Sequence, residues 1–513
     1  MVESRIVKVR KNLITSVLQN VLNLTLTYVS RLIFVKVLDA GYLGINGLFS
    51  NVLNILSLAD LGMGTVMMYS LYKPIAESDT KKIGALISFF RKIYLTIALS
   101  ILGVGLAVIP FLKYIINLEK AIPHLEWYYV LALLNVVISY LFIYRTTLIA
   151  ADQKSYILNK YVMAFKVITF VVQIAVLLMF KNYFIYLLAA LVISFMSNLC
   201  QNAVAMKMYP YLKEPSSALR QEEKKKISEN VKATFLYKIC STIQSNTDNV
   251  LVSIFVGTIF VGYYSNYIMI VTAVVTIVTL IFTSVKAGVG NLIASGDASE
   301  NQKLFLFRVL ELINFWLISF CAVCFICLFQ DFIEISFGSG YLLSFSVVVM
   351  IVLNFYTSNI RQTIWTFRET TGLFHETRYI TAVTAIVNIF LSLLLGCFWG
   401  MFGIIVATII ARMVYAWWKE PMILFHKYFH ENPKIYYVTY IKRVCLCIIV
   451  SAATYGICNL IDIENVYVAF AMKILVCCVV PNGLFLGCYF RTQEFKYIYE
   501  RTIKMFIKRC RMY

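Results

Sequence analysis

Apolar runs of membrane length recur along this 513-residue chain and constrain its fold more than any motif does. A helix needs about 20 mostly apolar residues to cross a bilayer. Fourteen segments meet that length: 12–35, 42–71, 88–114, 127–150, 157–180, 183–208, 233–257, 261–286, 305–330, 341–366, 377–399, 401–425, 438–460 and 465–490. The expected fold class is an all-α integral membrane protein with about 14 transmembrane helices. The second segment is long for one crossing, so it tilts or projects from the bilayer.

The composition agrees: 60% of residues are hydrophobic and 14% charged, against about 25% charged in soluble domains. A water-facing globule cannot hide that much apolar surface. This excludes a cytosolic enzyme, a secreted disulfide scaffold, a disordered chain and a nucleic-acid-binding domain. The net charge of +20 would point to nucleic acid in a soluble protein. Its distribution points to the membrane instead. With a cytoplasmic N-terminus, every even-numbered connection should be basic. Of 46 Lys and Arg residues, 38 fall in those connections and the two ends. The outer loops hold Lys36, Lys113, Lys120, Lys181 and Lys473, and Arg31, Lys166 and Lys238 lie deeper in spans. Both termini are therefore expected in the cytoplasm, in a multi-pass protein of the cell's inner (cytoplasmic) membrane with no nucleic-acid partner. The basic start leads into a long first span with no small-residue cleavage site, which reads as a retained anchor.

The longest inner connection carries Pro210 and Pro215 and then a charged stretch. It divides the chain into an N-lobe (1–210, spans 1–6), a cytoplasmic linker (211–232), a C-lobe (233–430, spans 7–12), spans 13–14 (431–490) and a basic tail (491–513). Prolines fall mainly near span ends, and Pro481 alone lies well inside one. Unbroken helices are therefore expected, unlike the discontinuous ones of some ion-coupled transporters.

The six-span unit occurs twice. At a shift of 218 residues, Gly44 falls on Gly262, and Ile75, Ala76 and Asp79 fall on Ile293, Ala294 and Asp297. At a shift of 223, Arg145, Thr147, Tyr156 and Ile157 fall on Arg368, Thr370, Tyr379 and Ile380. Six is even, so both copies share one orientation, a parallel repeat about an axis along the membrane normal. The fold expectation becomes two six-helix lobes plus two C-terminal helices.

Polar residues repeat in the same register. Span 1 carries Ser16, Asn20, Asn23, Thr27, Ser30 and Arg31, whose three- and four-residue spacings trace one helical face. Span 7 carries Thr234, Lys238, Ser241, Ser245, Asp248 and Asn249, each 218 residues further on. Such stripes either glue packed helices together or face water. A charge on each favours a substrate cavity lined by Asn20, Asn23, Thr27, Arg31, Lys166, Lys238, Ser241, Ser245 and Asp248.

Charges buried in a bilayer are costly and mark function by default. Arg31 and Asp248 lie at matching depth with opposite sign, so they pair when the protein is closed to the outside. Asp60, deep in span 2, and Asp248 are the candidate ion-coupling carboxylates. Arg145, Arg361 and Arg368 sit near cytoplasmic helix ends, where guanidinium forks suit a pyrophosphate head group; as single residues they also read as positive-inside anchors.

No cofactor and no metal site is expected. There is no phosphate-loop motif, so the chain does not hydrolyse ATP, and the four His are not paired for a metal. Cys321, Cys324 and Cys327 share the spacing of part of an iron–sulfur run. Asp331 stands where a fourth ligand would fall, and the segment reads as a lipid-buried helix in which Cys packs as a small apolar residue. The acidic outer stretch with Asp462 and Glu464 reads as a solvated turn.

The stretch RLIFVKVLDAGYLGINGLFSNVLNILSLADLGMGTVMMYSLYKPIAESD resembles the opening of Wzx-type polysaccharide flippases, members of the multidrug/oligosaccharidyl-lipid/polysaccharide (MOP) exporter superfamily. TDNVLVSIFVGTIFVGYYSNY resembles that family's second-half signature, and RYITAVTAIVNIFLSLLLGCFWGMFGIIVAT its eleventh and twelfth spans. Arg31 and Asp60 fall in the first stretch and Asp248 in the second. The resemblance implies two lobes that rock between inward- and outward-open states. It implies a lipid substrate, an undecaprenyl-pyrophosphate-linked oligosaccharide flipped for capsule, O-antigen or exopolysaccharide synthesis. The coupling ion would be H+ or Na+, and the partners a glycan polymerase and export machinery. A peptidoglycan-precursor flippase and a drug or cation antiporter are the near alternatives. A membrane-embedded glycan polymerase is further off, because no large outer loop exists to house its chemistry. The chain is thus expected not to be an enzyme.

Overall fold

The computed structural model of the chain describes residues 5–38, 40–57, 63–116, 122–213, 219–295, 299–371 and 373–500. Among these, every regular element is helical. The chain forms two compact units, Met1–Ser265 and Asn266–Tyr513.

The first unit holds α1 (Arg5–Val37), α2 (Ala40–Leu56), α3 (Met63–Ala76), α4 (Thr80–Val108), α5 (Leu112–Ile115), α6 (Leu125–Tyr140), α7 (Ile143–Ala151), α8 (Ser155–Phe180), α9 (Tyr183–Met208) and α10 (Gln221–Phe255). It also takes the first turns of α11 (Thr258–Ser295). Local chemistry sets several starts. Asp79 accepts from the Lys82 N–H to cap α4, and Asn182 accepts from Phe184 and Ile185 to cap α9. Here α1 lies along α8, and α8 along α9. The repeat-related glycines meet: a Cβ on Gly262 would stand 2.9 Å from the Gly44 nitrogen, and one on Gly44 would strike the Thr258 carbonyl. Only glycine permits this crossing of α2 and α11.

The second unit holds α12 (Glu300–Phe337), α13 (Phe345–Asn359), α14 (Gln362–Thr370), α15 (Phe374–Ala411), α16 (Trp417–Leu424), α17 (Lys434–Asn459) and α18 (Val466–Tyr489). Its centre is α12, whose most apolar stretch is 56% buried, against 11% for α8 or α9. Packed against α12 are α13, α17 and α18, so the last two helices belong to this unit. Trp316 donates to Asn482 at 2.7 Å, and Lys473 pairs with Asp331 at 2.5 Å.

Among the described residues, eight helices are long and apolar enough to span a membrane, or nine if α6 and α7 form one bent span. The fourteen expected segments do not map onto fourteen unbroken rods, for two physical reasons; segment 42–71 also crosses residues outside the described ones. Segments 377–399 and 401–425 meet at Gly400, whose φ of 54° and ψ of −133° break α15. There the chain turns back, and Asn388 donates to Thr408 at 2.8 Å. The second reason corrects the expectation of unbroken helices. α6 and α7 bend by 45° at Leu141–Phe142, and α13 and α14 are interrupted at Ile360–Arg361, neither at a proline. π-helical turns at Arg412–Ala416 and Phe425–Phe429 flank α16.

Side chains face outward accordingly. Leu99, Phe180, Ile386, Phe398, Ile449 and Val479 are among many large apolar residues left exposed. In water such a surface would aggregate; in lipid it is solvated.

Candidate functional site

The polar stripe of α1 does two jobs. At its first turns it is glue: Asn12 donates to the Gln153 carbonyl and accepts from the Tyr156 N–H, both at 2.8 Å. Asn159 of α8 donates to Thr15 at 3.2 Å and Ser16 at 3.3 Å. Asn20 is half-buried midway. Further along, Asn23, Thr27, Ser30 and Arg31 leave the glue and line a cavity of about 200 Å³.

Two cations meet there, Arg31 from α1 and Lys166 from α8. Arg31 donates to the Ser265 hydroxyl, and Lys166 is exposed. Asn46, Thr169 and Gln173 add amide and hydroxyl groups that sequence reasoning did not single out. None of the described lining residues is acidic. Phe34, Phe170 and Tyr186 add aromatic rings, and Leu26 and Leu43 complete the lining. Tyr186 is hydrogen-bonded to Ser30. Beyond them Tyr183 packs at 5.9 Å from Phe34, 5.2 Å from Tyr42 and 5.0 Å from Tyr128, and donates to Asn46 at 3.3 Å. Cations, neutral donors and flat apolar faces around one small space suit an oxyanion joined to hydroxyl-bearing rings.

The other expected residues lie elsewhere. Asp248 is half-buried on α10, close to the buried Tyr264. Lys238, Ser241 and Ser245 are also on α10, but their side chains lie outside the description. Asp60 lies outside the described residues altogether. Arg145, at the start of α7, is half-buried; it donates to the Asn202 side-chain oxygen and stacks 5.4 Å from the Tyr144 ring.

Arg361 and Arg368 are not presented to a ligand. They are 3% and 7% exposed, and both donate to Glu420, itself 4% exposed. The Trp365 indole N–H adds a third donor to that carboxylate at 3.1 Å. A pyrophosphate would first have to displace Glu420 from two guanidinium groups. A second buried pair, Arg443 with Glu311 at 3.0 Å, lines a cavity of about 300 Å³ with Arg308, Glu431 and Glu494 at its sides. The signal for both carboxylates was in the sequence: each is an acid within an apolar span, and such a residue implies a partner.

These features define a polytopic helical membrane protein with a basic cavity in its first unit whose described lining holds no carboxylate. No family model matches the chain, and no curated protein does. Solved structures match its fold. It is similar to the lipid II flippase MurJ in an inward-closed conformation, with a TM-score of 0.66 and 14% identity over 93% of this chain and 98% of that one. It is also similar to an inward-facing multidrug MATE transporter of the MOP superfamily (TM-score 0.56, 16% identity, 78% and 94% covered). A Vibrio cholerae MATE transporter gives a TM-score of 0.55 at 12% identity, with 80% and 95% covered. The fold is therefore that of MOP-superfamily proteins, and these neighbours are transporters and flippases, not enzymes.

Proposed function

We propose that this protein is a Wzx-like secondary transporter. It flips an undecaprenyl-pyrophosphate-linked oligosaccharide from the cytoplasmic to the outer leaflet, by alternating access, for surface polysaccharide synthesis. The supporting observation is the cavity of the first unit. Arg31 and Lys166 supply charge for the pyrophosphate, Asn23, Thr27, Asn46 and Gln173 supply donors and acceptors for sugar hydroxyls, and the rings stack against sugar faces. Binding energy spent there holds the polar head away from lipid while the polyprenyl tail stays in it. Arg31 and Asp248 pair in the outward-closed state. Asp60 and Asp248 are the candidates for H+ or Na+ coupling. Arg145 receives the head group on the cytoplasmic side, where the charge bias places both termini. A glycan polymerase and export machinery would take the product.

A second reading, a lipid-linked peptidoglycan precursor as substrate, is favoured by the extent of the match to the lipid II flippase. A drug or cation antiporter is disfavoured, because a cationic cargo calls for carboxylates and the described cavity lining has none. The test is leaflet sidedness. Deleting the gene in the native host should trap the pyrophosphate-linked oligosaccharide facing the cytoplasm, with wild type but not Arg31→Ala restoring it. Unchanged sidedness with normal surface glycan would remove this substrate.

A further inference from the structure

Sulfur collects at one point of the second unit. Cys327 of α12, Cys458 of α17 and Cys477 of α18 bring their Sγ atoms within 4.8 Å of one another. They are 7%, 1% and 1% exposed. Cys324, one turn back on α12, also contacts Cys477. All four are free thiols. Along α12 alone the three-residue spacing reads as apolar packing. The fold adds what spacing cannot: two further helices deliver a thiol each to the same spot.

The geometry fits a single ion. Thiolates sit about 2.3 Å from Zn(II), so sulfurs on one ion lie about 3.7–4 Å apart. Sulfurs already within 4.8 Å close that gap by small side-chain rotations. Thiolate donors select soft cations. The surroundings also suit a cation bound through thiolates. Lys473, one turn from Cys477 on α18 and within electrostatic reach of it, is already paired with Asp331, so the bound cation itself carries the positive charge that meets the thiolates. Four residues beyond Cys458, the loop before α18 exposes Asp462 and Glu464, an acidic approach for a cation.

We propose that Cys327, Cys458 and Cys477, with Cys324 as the fourth donor, bind one thiophilic d10 cation, Zn(II) or Cu(I), which clamps α17 and α18 to α12. Each coordinating thiol gives its proton to water as the ion binds. The site is separate from the transport cavity and does not rest on the proposed substrate.

The test uses the full chain, purified in detergent with reductant and stripped of metal. Titration with Zn(II), and separately with Cu(I) against a competing chelator, should show about one ion retained per chain; the arm that saturates identifies the ion. Co(II) should give a sulfur-to-metal charge-transfer band that the tighter ion removes. Cys477→Ser and Cys458→Ala should each weaken retention at least about tenfold, since even outer-shell changes cost 10- to 100-fold. Cys397→Ser, exposed on α15, should change nothing. If a variant fails to fold, alkylation mapping of the wild type decides: the ion should protect Cys458 and Cys477 and leave Cys397 reactive. Wild type that retains no more ion than Cys477→Ser, or alkylation at Cys477 that no ion slows, would overturn the proposal.

Discussion

Each unit contains a broken span that ends in a nine-residue helix, α7 in the first and α14 in the second. The two differ in what meets the arginine. In the first unit Arg145 is half-buried and its recorded partner is a neutral amide, Asn202. In the second, Arg361 and Arg368 are sealed from solvent and neutralised by Glu420. The cavities repeat the contrast. The first unit's cavity between α1 and α8 is lined by Arg31 and Lys166 without a described carboxylate, whereas the second unit's cavity of about 300 Å³ balances Arg308 and Arg443 against Glu311, Glu431 and Glu494. The described partners of Arg31 and Arg145 are neutral side chains, whereas Arg361, Arg368 and Arg443 meet carboxylates. Under the proposed function, an anionic cargo would find its counter-charge in the first unit, while the second unit's buried ion pairs hold its helices together.

The largest expected effect breaks the second unit. Glu420→Gln leaves two buried guanidinium groups without their counter-charge, and losing one side of a buried pair costs about 3–5 kcal/mol. It should lower the detergent-solubilised Tm sharply and cut the folded yield, while Arg145→Gln leaves both near wild type. Equal losses would erase the distinction between the units. Next, Gly44→Val forces side-chain atoms into the Thr258 carbonyl, and overpacking costs about 1–3 kcal/mol. Thermal unfolding should show the loss, with a smaller one for Gly47→Ala, whose Cβ would meet its nearest neighbour at an ordinary 3.5 Å. Third, Arg31→Gln and Lys166→Gln should each reduce transport about tenfold or more, the worth of one lost charge-assisted bond of roughly 1.5–3 kcal/mol, at unchanged Tm. If both variants transport normally, the cavity is not the cargo site. The mildest test is the charge swap: Arg31→Asp with Asp248→Arg should recover part of what either single change loses. No recovery would remove the proposed pairing.

Much of the fold was legible because lipid imposes a length rule on apolar helices. The break at Gly400 falls between two apolar runs and was readable as the gap separating them. The breaks at Leu141–Phe142 and Ile360–Arg361 were not, because proline was the expected cause and neither contains one. The glycines that the 218-residue shift pairs, Gly44 and Gly262, touch, and close backbone approach there leaves no choice of residue. Around Arg145 and Arg368 the helix starts at Ile143 and Gln362 differ by 219 residues, about one turn short of the 223 that aligned the arginines. Within the site, a helical stripe showed which face of α1 is polar but not what it meets. Ser16 turned to α8 and Arg31 to a cavity. Asn46 and Gln173 carried no periodic or charge signal, and tertiary packing alone brings them to Arg31.

The most direct test of the central claim is flipping in reconstituted vesicles. Wild type and Arg31→Gln, matched for folded amount by Tm, would each be supplied with a pyrophosphate-linked oligosaccharide lipid in one leaflet, and its appearance in the other followed with a glycan-cleaving enzyme outside. Rapid transfer by wild type, lost in Arg31→Gln and kept in Cys397→Ser, is the expected result. Equal transfer by wild type and Arg31→Gln, or none by either above protein-free vesicles, would contradict a flippase that reads its cargo's charge through the first unit.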